Sequence, residues 1–402
     1  LGTAMAICMI MVLVITFQVR LVDCEPEVNR SRTLYVPYMS VKQKGNSDNE
    51  SANASMSVRT GRECFRALSM PEAVTLASGV YRVRASVPSG SKATADMVQT
   101  DEAFWTIFSF HFLSGEAFTK ADCDAGLTRA VLDATTARRL FGTTDAVGRT
   151  VQLDYVDYTV AGVVADVSML ATAAYAQIWV PYTAAGAEAM SWQNDTMGPM
   201  HAIILARSSA DFDAIREETE LLRKKYNDGL QDVEVFYRGQ PDTQLAYLYR
   251  RWYAEPDVPG VMLRYAIVVI ILLLVPAVNL SGMTLSRMRR RMAEIGVRKA
   301  FGATGGELMR QVFFENLVLT LLAGIVGLAL SYVATFALNG FLFSNSMNAS
   351  LSGETALTPG MLLSPWAFIA AFAFCLLMNI LSAGIPAWRA SRMNITDAIN
   401  QR

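Results

Sequence analysis

Histidine occurs only twice in these 402 residues, at His111 and His201, and Asp, Glu, Lys and Arg together make up just 18% of them. Neither histidine stands in an HExxH spacing, so a zinc-hydrolase site lacks its ligands, and isolated histidines of this kind are most often structural. No GxxxxGK[ST] string occurs, so the backbone cradle and lysine that hold nucleotide phosphates are missing from this sequence. CxxC is also absent, and the five cysteines do not suggest a zinc site or a disulfide framework. Cys8 and Cys375 lie in apolar runs, which leaves Cys24, Cys64 and Cys123, an odd set that cannot pair within one chain; Cys64 with Cys123 stays open. No catalytic residue and no metal ligand is assigned.

What is present is apolar: 52% of the residues are hydrophobic and the mean hydropathy is +0.27. A helix needs roughly 20 mainly apolar residues to cross a hydrocarbon core about 30 Å thick. Four stretches without a charge are long enough: 1–19, 265–286, 316–353 and 355–388. Buried core helices are shorter and amphipathic. A cleavable signal peptide over 1–22 is set aside, because the small-residue cleavage pattern is absent and charged residues follow the run directly. The chain opens on Leu1 rather than Met, and a further N-terminal segment is expected ahead of it. Residues 284–312 carry seven basic side chains against Glu294 and Glu307, a net +5, whereas 339–361 contain no Lys or Arg. The positive-inside rule places 284–312 and the C-terminus in the cytoplasm and residues 23–259 outside, where 23 basic and 31 acidic residues give net −8.

The expected organisation is a transmembrane helix at 1–22, an extracytoplasmic domain at 23–259, a second span at 260–286, a cytoplasmic coupling helix at 287–312, a third span at 313–339, an outer loop at 340–361, a fourth span at 362–388 and a cytoplasmic tail at 389–402. Within the outer domain, 41–57 reads as a mobile loop. Alternation predicts strands at 81–87, 151–153, 158–164, 203–205 and 233–237, the second and third as a hairpin-like pair. Helices are predicted from Pro71, over 135–141 ending at Gly142, and over 211–226 with Phe212, Ile215, Leu222 and Tyr226 on one face. The fold class is an α-helical membrane protein with four transmembrane helices and an α+β extracytoplasmic domain in two subdomains. In the second and fourth spans, Asn279 and Asn379 are uncharged polar groups of the kind that bond between helices.

Leu285, Met288, Met292 and Ile295 recur at spacings of 3 and 4, with Arg287, Arg289, Arg290 and Arg291 off that stripe. Taken alone, such a helix reads first as a juxtamembrane element whose arginines hold anionic head groups. The glycines of 302–306 then permit the chain to reverse. The string RMAEIGVRKAFGA at 291–303, set between two spans, resembles the cytoplasmic helix of the MacB/FtsX family of ABC transporter permeases. FWTIFSF at 104–110, LSGEAF at 113–118, ARRLFG at 137–142, VGRTV at 147–151 and IWVPY at 178–182 are similar in order and spacing to a MacB-type periplasmic core domain. IPAWRASR at 385–392 followed by Asp397 and Ala398 resembles the family's ending.

The resemblance implies a non-enzymatic permease subunit, a homodimer or a pair with a similar permease. It binds a separate cytoplasmic ATPase that holds the ATP and Mg, with no cofactor in this chain. MacB itself carries a fused ATPase, and the phosphate cradle is missing here; the two LSGE strings at 113–116 and 351–354 read as turns outside the cytoplasm. Glu294, Gly296, Arg298, Lys299, Gly302 and Ala303 are the residues expected to meet the ATPase. The implied work is mechanical. The full-size outer domain favours export of drugs, peptides or lipoproteins from a bacterial inner membrane, with a periplasmic adaptor or outer-membrane channel as further partners. The alternative is an FtsX-like signalling subunit acting on a cell-wall hydrolase.

Overall fold

The computed structural model describes residues 2–45, 51–88, 90–251, 254–272, 274, 301, 304–343, 351, 365–366, 368–373 and 376–377. The chain divides into two compact units: Leu1–Val19, Pro259–Phe343 and Leu357–Arg402 form one, Arg20–Val258 and Ser344–Ala356 the other. It opens on helix α1 (Gly2–Val19) and passes at Arg20 into the second unit.

That second unit is α+β. A four-stranded antiparallel sheet joins β1 (Thr33–Val36), β4 (Ala73–Ser78), β12 (Met200–Leu205) and β14 (Asp242–Thr243) in the order β14-β1-β12-β4. A three-stranded sheet joins β2 (Met39–Gln43), β3 (Ala52–Ala54) and β13 (Val233–Phe236). Helices α2 (Val58–Cys64) and α6 (Phe212–Gly229) accompany these two sheets. One apolar cluster unites them, with Leu34, Leu76 and Ile204 from the first sheet, Val41 and Val235 from the second, and Ile215 and Tyr226 from α6.

A mixed seven-stranded sheet has its own cluster. It runs β7-β10-β8-β11-β6-β5-β9 and comprises β5 (Tyr81–Ser86), β6 (Lys92–Thr100), β7 (Phe112–Gly115), β8 (Arg129–Asp133), β9 (Thr150–Leu153), β10 (Val156–Val164) and β11 (Ile178–Pro181). Between its strands lie α3 (Phe104–Ile107), α4 (Lys120–Asp124) and α5 (Ala134–Phe141). Val83, Leu132, Leu140, Val160 and Ile178 are among the residues packed in that cluster. The predicted hairpin is β9 with β10, turned at Asp154 and Tyr155 with positive φ. Helix α5 begins where the Asp133 carboxylate accepts from the Thr136 amide at 2.7 Å and ends at Gly142, φ 75°, the left-handed cap that glycine adopts without strain.

Three expectations for the outer domain are corrected. Pro71 opens no helix: it leads into β4, where the Glu72 amide bonds the Leu205 carbonyl at 2.8 Å and the ladder with β12 takes over. A proline without an N–H suits the start of a strand as well as the first turn of a helix. Residues 41–57 are not one loop, because Met39 pairs with Ala54 and Met56 bridges to Met200 around residues 46–50, which lie outside the description. Leu113, Ser114 and Gly115 of the first LSGE string lie in β7 rather than in a turn; Gly115, at φ 66°, presses so close to the Ala161 carbonyl that a Cβ would lie 2.2 Å from its oxygen. Of the second string, only Leu351 is described. Cys64 and Cys123 are free and buried, with their thiols pushed up to about 11 and about 12, chiefly by burial.

In the first unit, α1 packs along α9 (Gly305–Ala337); α8 (Val258–Leu272) meets α1 where Phe17 and Tyr265 lie 5.4 Å apart. Among the described residues, 317–337 of α9 is the one helical stretch long and apolar enough to cross a membrane. Its burial pattern is the reverse of a soluble helix. Thr320, Gly324, Gly327, Ser331 and Thr335 are buried, while Leu322, Ile325, Val333 and Phe336 are more than half exposed. Small groups inside and bulky apolar ones outside fit helices that meet one another in lipid. A Cβ on Gly327 would fall 2.7 Å from the Ala4 carbonyl, so only glycine permits this approach of α1. Helix α9 starts at Thr304, whose hydroxyl and amide bind Glu307 in a capping box, so Gly305 and Gly306 belong to its first turn and not to the reversal. Of the predicted second span only 260–272 and 274 are described, and of the fourth only 365–366, 368–373 and 376–377; Asn279 and Asn379 lie outside the described residues.

Candidate functional site: two buried arginine clamps

The residues expected to contact an ATPase, Glu294, Gly296, Arg298, Lys299, Gly302 and Ala303, all lie outside the described residues. The structure instead brings together groups that belong to no motif in the sequence. They occupy the two segments through which the extracytoplasmic domain joins its flanking helices in the chain.

The first segment follows α1. Pro26 and the turn at 24–27 fold the chain back, so that Glu27 and Arg30 meet at 2.7 Å with side chains 1% exposed. A charge so far from water is tolerable only when fully bonded. Arg30 uses all its side-chain nitrogens: Nε on Glu27, Nη1 on the Val22 carbonyl at 2.5 Å, and Nη2 on the Leu170 carbonyl. Glu27 Oε1 accepts from the amides of Ala173 and Ala174 at 2.6 and 2.9 Å. The pair thus fastens the chain leaving α1 to the loop between β10 and β11.

The second segment precedes α8. Arg250 grips both oxygens of Asp242, the Nη2 bond being 2.8 Å, and donates on to the carbonyls of Ala254 and Arg238. Burial pushes the Asp242 carboxyl above its ordinary range, against the opposing pull of Arg250. Asp242 lies on β14, opposite Tyr35 of β1. Between it and Arg250 runs α7 (Gln244–Tyr249), whose Gln244 donates to the Arg20 carbonyl at 3.2 Å. Burial drives the Tyr35 phenol well above its usual range and Glu27 adds to the effect, a sign that the first clamp lies close to this strand.

No group of three or more His, Cys, Asp or Glu converges among the described residues. Two fully bonded, desolvated ion pairs hold these two segments in place within the outer unit. The only sequence sign of them was the placement of arginines and carboxylates beside the ends of apolar stretches.

Comparison with known proteins places the chain. Residues 1–222 match the MacB-like periplasmic core domain, and residues 266–395 match the FtsX-like permease C-terminal domain. The macrolide export ATP-binding/permease protein MacB of Chromobacterium violaceum is 26% identical over 307 residues, 76% of this chain and 43% of that protein. Its namesake in Escherichia coli (strain K12) is 26% identical over 314 residues, with the same two shares. The chain therefore spans less than half the length of the curated relatives it matches. Among solved structures, the periplasmic region of MacB from Actinobacillus actinomycetemcomitans aligns at 18% identity and TM-score 0.36, covering 51% of this chain and 90% of that one. The extracellular domain of the ABC-type transporter YknZ from Gram-positive bacteria aligns at 16% and 0.35, covering 50% and 99%. With the periplasmic core domain matched over more than half of its residues and the permease domain following, the chain belongs to the MacB/FtsX family of ABC transporter permeases.

Proposed function

We propose that the chain is a non-catalytic permease subunit, multi-pass in a bacterial inner membrane, that turns ATP hydrolysis by a separate cytoplasmic ATPase into movement of its extracytoplasmic domain. The pair of clamps is the observation that supports this reading. Arg30 holds the segment that follows α1 and Arg250 the segment that precedes α8, each bonded within the outer domain, so the chain enters and leaves that domain through fastened segments. ATP and Mg belong to the partner. The subunit pairs with a second copy or a similar permease, and residues 287–312 form the ATPase contact, with Glu294, Arg298 and Lys299 at its centre. Export of drugs, peptides or lipoproteins through an adaptor or outer-membrane channel is the favoured task, given the size of the domain at 23–259.

The experiment is co-purification of the native ATPase with an Arg298→Glu subunit, with Arg289→Glu as control. A charge pair desolvated against a partner is worth roughly 2–5 kcal/mol, so Arg298→Glu should weaken the complex at least about thirtyfold. The control should keep it. Equal retention of the ATPase and of coupled activity by both variants would make this segment a membrane-surface helix. A hydrolase in place of an adaptor among the native partners would move the reading from export to signalling.

A further inference from the structure

The four-stranded sheet spends only one face on its apolar cluster. Side chains alternate along a strand, so Leu34, Leu76, Ala202 and Ile204 enter the cluster, while their neighbours Tyr35, Ala77, His201 and Ile203 face the other way. On that second face lies a cavity of about 260 Å³. Register partners Tyr35 with Ile203 and Ala77 with His201 floor it, and Tyr247 and Thr172 form walls. At ~30 Å³ for each water, it has room for roughly nine water-sized groups, slightly less than a drug-sized pocket.

Two features define what fits. Tyr35 is 2% exposed, and neither its hydroxyl nor that of Thr172 has a hydrogen-bond partner among the described residues. Buried hydroxyls are normally satisfied, so both are available to a guest. The second feature is the absence of free charge among the described residues that line it. The Arg250 guanidinium is committed to Asp242 and to the carbonyls of Ala254 and Arg238. The His201 ring bonds Ser55 at 2.8 Å and is kept neutral by its surroundings. An ionic ligand would have to give up its hydration with nothing to replace it.

We propose that this cavity binds an uncharged amphipathic small molecule, its apolar body against Ala77, Ile203 and Tyr247 and a hydroxyl or carbonyl group bonded to Tyr35 and Thr172. The site stands whether or not an ATPase is attached, so its test is separate from that of the coupling reading.

The full chain in lipid nanodiscs is titrated calorimetrically at pH 7 with 1-naphthol, neutral at that pH, and with 1-naphthalenesulfonate; empty nanodiscs measure partition into lipid. Saturable binding of one naphthol per chain is expected, with the sulfonate at least tenfold weaker. Tyr35→Phe removes only the unpartnered hydroxyl: affinity should fall about tenfold while the unfolding temperature stays level or rises. Ala77→Trp fills the cavity and should abolish binding. Absence of saturable binding, equal affinity for the two probes, or unchanged binding in Ala77→Trp overturns the site. So does a Tyr35→Phe variant that loses stability but not affinity, because its hydroxyl would then be structural.

Discussion

Tyr35 of β1 and Tyr247 of α7 lie stacked, with ring centroids 4.5 Å apart and planes 14° from parallel. Tyr35 follows the Arg30 clamp along the chain and stands opposite Asp242 in the sheet, while Tyr247 lies between Asp242 and Arg250. The stack therefore ties the two clamps into one body. Double-mutant cycles of Arg30→Met with Arg250→Met should show a coupling of about 0.5–3 kcal/mol in the native background, reduced toward zero when Tyr247 is replaced by Ala. Additive effects in both backgrounds would mean that the clamps act independently.

Truncating one partner of the first clamp should be far worse than removing both. Arg30→Ala leaves the Glu27 carboxylate buried and unpaired, at a cost of about 3–5 kcal/mol in denaturant unfolding of the solubilised chain. Glu27→Leu combined with Arg30→Met should recover most of that stability. If the pair transmits movement, the recovered variant still loses coupled activity.

Helix packing offers a sharper steric test. Gly327→Val drives a side chain into the Ala4 carbonyl and should cost at least about 1–3 kcal/mol, read as a lower unfolding temperature in detergent. Gly340→Val is the control, since no described atom lies within 4 Å of a Cβ there.

His201 gives the domain an acid-sensitive component. Exclusion of water depresses its folded pKa from 6.5 to about 4, so its stabilising share is fully present above pH 6.5 and is lost as pH falls toward 4. Between pH 7 and pH 5 the loss is about 2 kcal/mol. A His201→Gln variant should lack this component, so the difference between its urea-unfolding curves at the two pH values should be smaller by that amount.

Sidedness can be measured directly. A thiol reagent that cannot cross membranes should modify a cysteine introduced by Ser209→Cys in intact cells and leave one introduced by Thr304→Cys untouched; the reverse pattern would invert the topology.

The sequence by itself determined the apolar stretches, the charge asymmetry, the family strings and those outer-domain elements with a clear local periodicity, five strands and two helices. The β9–β10 hairpin and the helix closed by Gly142 depend on neighbours a few residues apart. Pro71 misled because a residue without an N–H opens strands and helices alike, and β12, remote in sequence, decided between them. The expected ATPase contact remains a reading of the sequence. Tertiary structure alone decided the clamps and the cavity. Glu27 and Arg30 look like any solvated charges until the 170–174 loop closes over them. The Tyr35 hydroxyl becomes a buried group with no partner among the described residues only once α7 folds Tyr247 across its ring, since burial belongs to the packed chain and to no residue alone.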